Sequence, residues 1–74
     1  MDKFDTKILE IIGLNVRKLR LENSLSQAQL AFEANLTREF INKLEAGRLN
    51  ISVLNLNQIA LVLKVDITAL FEHK

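Results

Sequence analysis

SQAQLAFEANLTREFINKLEAG, residues 26–47, carries two sets of helix-boundary signals within one short span. Ser26 offers a hydroxyl to cap a helix start, and Gln29 three residues later can reach back to close a capping box. Leu30, Ala31 and Ala34 then share one apolar face. Asn35 follows, one of the few non-glycine residues that tolerate a left-handed backbone, and Thr37 restarts the chain as a second N-cap. In the next segment Ile41 and Leu44 fall on the buried side, while Arg38, Glu39, Asn42 and Lys43 occupy the remaining arc. A larger side chain at Ala31 would force the two helices apart, and Gly47 supplies a left-handed stop after Ala46. Two capped helices meeting at a tight turn over a small residue form a helix-turn-helix. A plain αα-hairpin in a bundle requires no such combination of caps, turn and spacing.

The rest of the chain sets limits. Its 74 residues read as a single domain over 1–74, near the lower size at which an apolar core holds a fold without staples. There is no cysteine and a single histidine, His73, so neither a metal site nor a histidine-based catalytic unit is expected, and no cofactor is implied. The longest apolar run, Ile59 to Leu63, is too short to cross a bilayer, and Met1 to Glu10 carries charges of both signs rather than a leader pattern. The expectation is a soluble, cytoplasmic protein.

With no proline and two glycines, the chain is expected to be all-α: a compact five-helix domain with helices at about 6–22, 27–34, 38–46, 53–63 and 67–72. The first helix should begin near Asp5 or Thr6 and bury Ile8, Ile12, Val16 and Leu19 as one stripe. Gly13 interrupts it at about 1 kcal/mol relative to alanine, unless a neighbour needs close approach. After the connector Leu49–Ile51, Ser52 caps a helix whose core side holds Leu56, Ile59, Ala60 and Leu63, and Asp66 caps the last helix. Leu54, Leu61, Val65, Ile67 and Phe71 then remain as surplus apolar residues. Either they wrap into the same core or they form a patch covered by a second copy of the chain, and the dimer is the favoured expectation.

Lys and Arg total 10 against 9 for Asp and Glu, a net charge of +1 that by itself does not suggest a nucleic-acid binder. Distribution can restore that reading if Arg38, Lys43 and Arg48 share a face while Glu10, Glu22, Glu33 and Glu72 lie elsewhere. So weak a net charge predicts modest non-specific affinity and reliance on specific contacts or on dimerisation.

The segment from Leu19 to Phe71 resembles the Cro and C1-repressor type of helix-turn-helix domain. The resemblance rests on Arg20 near the end of the first helix, SQxxLA at Ser26–Ala31, LExG at Leu44–Gly47, and LxxIAxxLxVxxxxLF at Leu56–Phe71. Within that family the RxNxSxxNL stretch from Arg48 to Leu56 looks most like the small controller proteins of restriction-modification systems; short phage repressors and antitoxins share much of the pattern. The chain departs from it at Ser24 and Asn35, where many relatives have glycine. Asn23 and Asn35 are expected to adopt the required backbone. Phe40 stands where similar controllers often carry tyrosine, so it lacks a hydroxyl for phosphate and would pack against a sugar or a thymine methyl.

The resemblance implies a sequence-specific DNA-binding transcription regulator, acting as a homodimer on double-stranded DNA with an inverted repeat. The helix Thr37–Ala46 would enter the major groove, the groove whose donor and acceptor pattern distinguishes all four base pairs. Thr37, Arg38, Glu39, Asn42 and Lys43 are the candidate base readers. Arg38 suits guanine O6 and N7; Glu39 either accepts from cytosine N4 or holds Arg38 in place; Lys43 reaches a guanine or a phosphate; Asn42 reads a base or is simply solvated. Gln27 at a helix start, with Phe40, Arg48, Asn50, Ser52 and Asn55, forms the candidate phosphate-contacting set, although Ser52 and Asn55 equally suit a capping cluster. Arg20 and Glu45 are expected to pair as a brace beneath the readers. Leu54, Leu61, Val65, Ile67 and Phe71 are the candidate dimer interface. Neither a membrane nor a small-molecule ligand is expected. An interaction module of antitoxin type would share the fold without needing Arg38, Glu39 and Lys43 on one exposed arc. An enzyme is disfavoured, because Ser24, Ser26 and Ser52 have no histidine to activate them.

Overall fold

A computed structural model describes residues 3–73; positions 1, 2 and 74 of the expected domain lie outside the described residues. Four α-helices follow in order: α1 (Lys3–Glu22), α2 (Gln27–Glu33), α3 (Arg38–Glu45) and α4 (Val53–Val62), with a 3-10 helix at Ile67–Phe71. The expected fifth helix is therefore not an α-helix. Asp66 captures the Thr68 N–H at 2.9 Å, only two residues on, and the Ala69 N–H bonds back to the Asp66 carbonyl at 2.9 Å, so the segment winds tightly from its first residue. The first helix also starts earlier than Asp5. Among the described residues there is no strand, and no helix is long and apolar enough to cross a membrane.

Each boundary has a local cause. The Ser26 hydroxyl accepts from Gln29 N at 3.0 Å while the Gln29 side chain accepts from Ser26 N at 2.7 Å, completing the capping box. Thr37 caps α3 through Phe40 N at 3.1 Å, and Ser52 caps α4 through Asn55 N at 3.1 Å. All four α-helices close in the same way, with a left-handed residue at the stop: Ser24, Asn35, Gly47 and Lys64. The next N–H then reaches back five residues, Leu25 to Arg20 O, Leu36 to Ala31 O, Arg48 to Lys43 O and Val65 to Ala60 O. Ser24 itself takes the left-handed turn at φ 57°, not Asn23 as expected, because the stop falls one residue later. Asn23 instead donates its amide to Leu19 O at 2.8 Å. Leu25, Leu36 and Val65 tuck against the core after their stops, whereas the corresponding Arg48 is exposed.

The core is built from Ile12 and Val16 of α1, Leu30 and Ala31 of α2, Ile41 and Leu44 of α3, Leu56, Ile59 and Ala60 of α4, with Ala34, Leu63 and Leu70 at helix ends. Ile8 departs from the expected stripe, being 39% exposed while its neighbour Leu9 is 7% exposed. Both residues fit the helical period, and α1 turns Leu9 inward. Gly13 marks a close approach: a Cβ there would lie 2.5 Å from the Leu44 carbonyl oxygen and 2.8 Å from that of Glu45. The C-terminal end of α3 thus seats on the bare backbone of α1. On the same helix, the Asn15 amide donates to Leu70 O at 2.9 Å and Glu72 O at 2.8 Å, strapping the 3-10 helix across α1.

Candidate nucleic-acid interface

α3 is held from beneath by Ile41 and Leu44, both buried, and by the seat at Gly13, so its opposite face is left to solvent. Thr37, Arg38, Glu39, Asn42 and Lys43 are all exposed on that helix and its cap. Thr37 keeps its hydroxyl hydrogen free, because its oxygen serves as the cap acceptor. Glu39 does not hold Arg38. It bonds Lys43 one turn on at 3.0 Å, an exposed pair that solvent weakens and that leaves Arg38 unengaged by either partner.

Beneath this arc Arg20 and Glu45 lie together. Arg20 Nε donates to Glu45 Oε2 at 2.6 Å and Nη2 to Oε1 at 3.0 Å, with Nη1 on the Leu25 carbonyl at 2.8 Å. The two side chains are 10% and 5% exposed. The hydrogen bond that Arg20 donates to Glu45, together with the negative charge of that carboxylate, holds the Arg20 pKa above its ordinary value against the opposing effect of desolvation. Glu45 Oε1 also accepts from Gln27 Nε2 at 3.2 Å, and Gln27 Oε1 accepts from Asn42 Nδ2 at a longer 3.4 Å. Gln27, singled out in the sequence for phosphate, is therefore engaged on both sides by protein. A shallow cleft of about 260 Å³ opens here between Arg17, Arg20, Gln27, Asn42 and Glu45. Arg17 was not singled out in the sequence. Its one signal is position, a single turn before Arg20 and so on the same side of α1.

The remaining candidates divide by environment. Arg48 and Asn50, on the connector after α3, are exposed; Ser52 and Asn55 are joined by the cap bond of α4. Phe40 is half-buried and packs against the core.

A helix-turn-helix family model matches residues 16–70. The chain belongs to that helix-turn-helix family. It is 41% identical over 57 residues to the control protein C.BamHI of Bacillus amyloliquefaciens, spanning 76% of this chain and 70% of the relative. It is 34% identical over 59 residues to the immunity repressor protein of Bacillus phage phi105, covering 80% of this chain but 41% of that longer protein. Among solved structures, the restriction-modification controller protein C.AhdI from Aeromonas hydrophila superposes with a TM-score of 0.83 at 35% identity, over 85% of this chain and 96% of that one.

This helix-turn-helix protein exposes an apolar stripe on α4. Leu54 is 78% exposed and Leu61 67%, and Val53, not singled out in the sequence, lies beside them. Phe71 is partly exposed on the 3-10 helix, whereas Val65 and Ile67 are half-buried against the core.

Proposed function

We propose that this protein is a sequence-specific transcription regulator of the restriction-modification controller type, binding as a homodimer to a pseudo-palindromic operator. The observation that carries the reading is α3 itself, an eight-residue helix whose inner face is locked into the core while Arg38, Glu39, Asn42 and Lys43 are exposed on its outer face. A helix so presented fits the major groove, and those side chains supply the donors and acceptors that base edges need.

In the proposed complex Arg38 reads guanine, Glu39 and Lys43 separate from each other to meet bases or a phosphate, and Thr37 donates its free hydroxyl hydrogen. Arg48, Asn50, Ser52 and Asn55, with Phe40 at the flank, hold the sugar-phosphate backbone and set the register of α3. Arg48 supports this role by its place in the fold: three of the four helix stops are followed by an apolar residue packed on the core, and this one by an exposed cation. Leu54 and Leu61 with Phe71 form the dimer face, flanked by Val65 and Ile67. Dimerisation places two copies of α3 on one side of the duplex, about 34 Å apart, and doubles the otherwise weak attraction of a domain with net charge +1. The immunity repressor relative supports a second reading, a phage-type repressor with the same mode of binding.

Selection of bound duplexes from a random pool tests the proposal. An enriched inverted repeat, lost in a monomeric Leu61→Lys variant, is the expected result. Failure to enrich any sequence would remove the DNA-reading function and favour a protein partner.

A further inference from the structure

We infer that Asn42 is the adenine-reading residue of the interface, and that Gln27, itself oriented by the Arg20–Glu45 ion pair, is a positioning residue that sets the direction of the Asn42 amide. This rests on the proposal that α3 reads DNA.

The argument follows hydrogen-bond polarity from the inside out. Arg20 carries donors only, and the Glu45 carboxylate acceptors only. Gln27 must therefore turn its nitrogen toward Glu45, as the 3.2 Å contact shows, which leaves its oxygen facing α3. An oxygen there accepts but cannot donate. Asn42 must then present its own nitrogen inward, along the 3.4 Å contact, and its oxygen is directed away from Gln27. A free asparagine amide has two orientations of similar energy. This one is selected by a buried charge two residues removed in the network.

The consequence is chemical. One Nδ2 hydrogen of Asn42 is taken by Gln27; the other, together with Oδ1, forms an adjacent donor and acceptor pair. Adenine matches that pair in the major groove, with N7 accepting and the N6 amino group donating. Guanine offers N7 and O6, two acceptors, and would need both hydrogens of the amide. The relay withholds one of them, so it disfavours guanine as well as favouring adenine. Gln27 engaged in this way has a different task from clamping a phosphate.

Comparison of selected binding sites for the parent, Asn42→Ala and Gln27→Met tests both parts. The parent should prefer adenine over guanine at one base pair of each half-site by about fivefold to a hundredfold, the span ordinary for a bidentate contact. Asn42→Ala should bring that ratio to within about twofold of unity while leaving the base pair read by Arg38 unchanged. Gln27→Met keeps the side-chain length but removes the amide, and should lose most of the same preference. In the free protein, the side-chain amide resonances of Asn42 should shift in Gln27→Met. A site matrix identical in parent and Asn42→Ala would overturn the adenine assignment while leaving the regulator reading intact. Uniform weakening of all sequences by Gln27→Met, with the adenine column and the Asn42 resonances unmoved, would return Gln27 to the phosphate backbone. A parent that enriches no sequence would instead remove the reading on which the inference rests.

Discussion

Removing either half of the Arg20–Glu45 pair should cost far more than removing both. Were the pair exposed, it would contribute only about 0 to 1 kcal/mol. Here Arg20 is 8% exposed, and its guanidinium touches two carboxylate oxygens and one carbonyl. Arg20→Met leaves the Glu45 carboxylate enclosed with only the Gln27 amide as donor, and breaking a pair at such depth costs about 3 to 5 kcal/mol. In a domain of this size each kcal/mol lowers the melting temperature by about 4 to 8 °C, so a loss of 3 kcal/mol is a drop of about 12 to 24 °C. Glu45→Gln keeps one acceptor for Arg20 and should fall at the lower end. The double variant Arg20→Met, Glu45→Leu strands no charge, and should melt well above the sum of its single losses. Because Arg20 is held above its ordinary pKa, its contribution, while Glu45 is ionised, is present below the ordinary guanidinium value and is lost as pH rises above it. Thermal melts at pH 7 of the three variants check this. Single variants that melt with the parent, or a double variant that loses the full sum, would refute the brace.

Gly13→Ala should destabilise by about 1 to 3 kcal/mol in urea titration, because its Cβ meets two carbonyl oxygens of α3 that cannot retreat, reversing the gain alanine normally brings to a helix interior. Arg38→Ala should lose about 1 to 3 kcal/mol on the preferred operator and flatten one base pair per half-site, whereas Arg48→Ala should weaken all sequences alike and lower the salt slope of binding by about 1, both read from titrations at several salt concentrations. Asp66 is held below its ordinary carboxyl pKa of 3.8, first by the backbone N–H of Thr68 and then by its hydroxyl. That stabilisation is present above the ordinary value and lost as pH falls through the lowered one, so the gap in melting temperature between the parent and Asp66→Ala should narrow in that acid range.

The parts legible in the sequence are those fixed by neighbours a few residues away. Ser26, Thr37, Ser52 and Asp66 all act as caps, since a hydroxyl or carboxylate at a helix start has its target within three residues. Stops were harder: Asn35 and Gly47 announce a left-handed turn by their chemistry, but Ser24 and Lys64 take it only because the surrounding fold requires it. The choice between Ile8 and Leu9 is set by how α1 rests on its neighbours, which two adjacent apolar residues do not encode. In α4 nearly every residue but the asparagines and a glutamine is apolar, so periodicity separates the core residues Leu56 and Ile59 from the exposed Val53, Leu54 and Leu61 only weakly. The exposed arc of α3 is legible in the helical period, yet the chain of contacts from Arg20 to Asn42 joins three helices and has no local signature. Arg17 escaped for the same reason.

The central claim is that two copies of α3 occupy the major groove on one side of an inverted repeat. Chemical protection of guanine N7, a major-groove atom, tests it most directly on the selected operator. Protection should fall in two symmetric patches about one helical turn apart, roughly 10 base pairs centre to centre, with adenine N3 in the minor groove of those patches left reactive. A single asymmetric patch at saturating protein, or protection confined to the minor groove, would contradict the account.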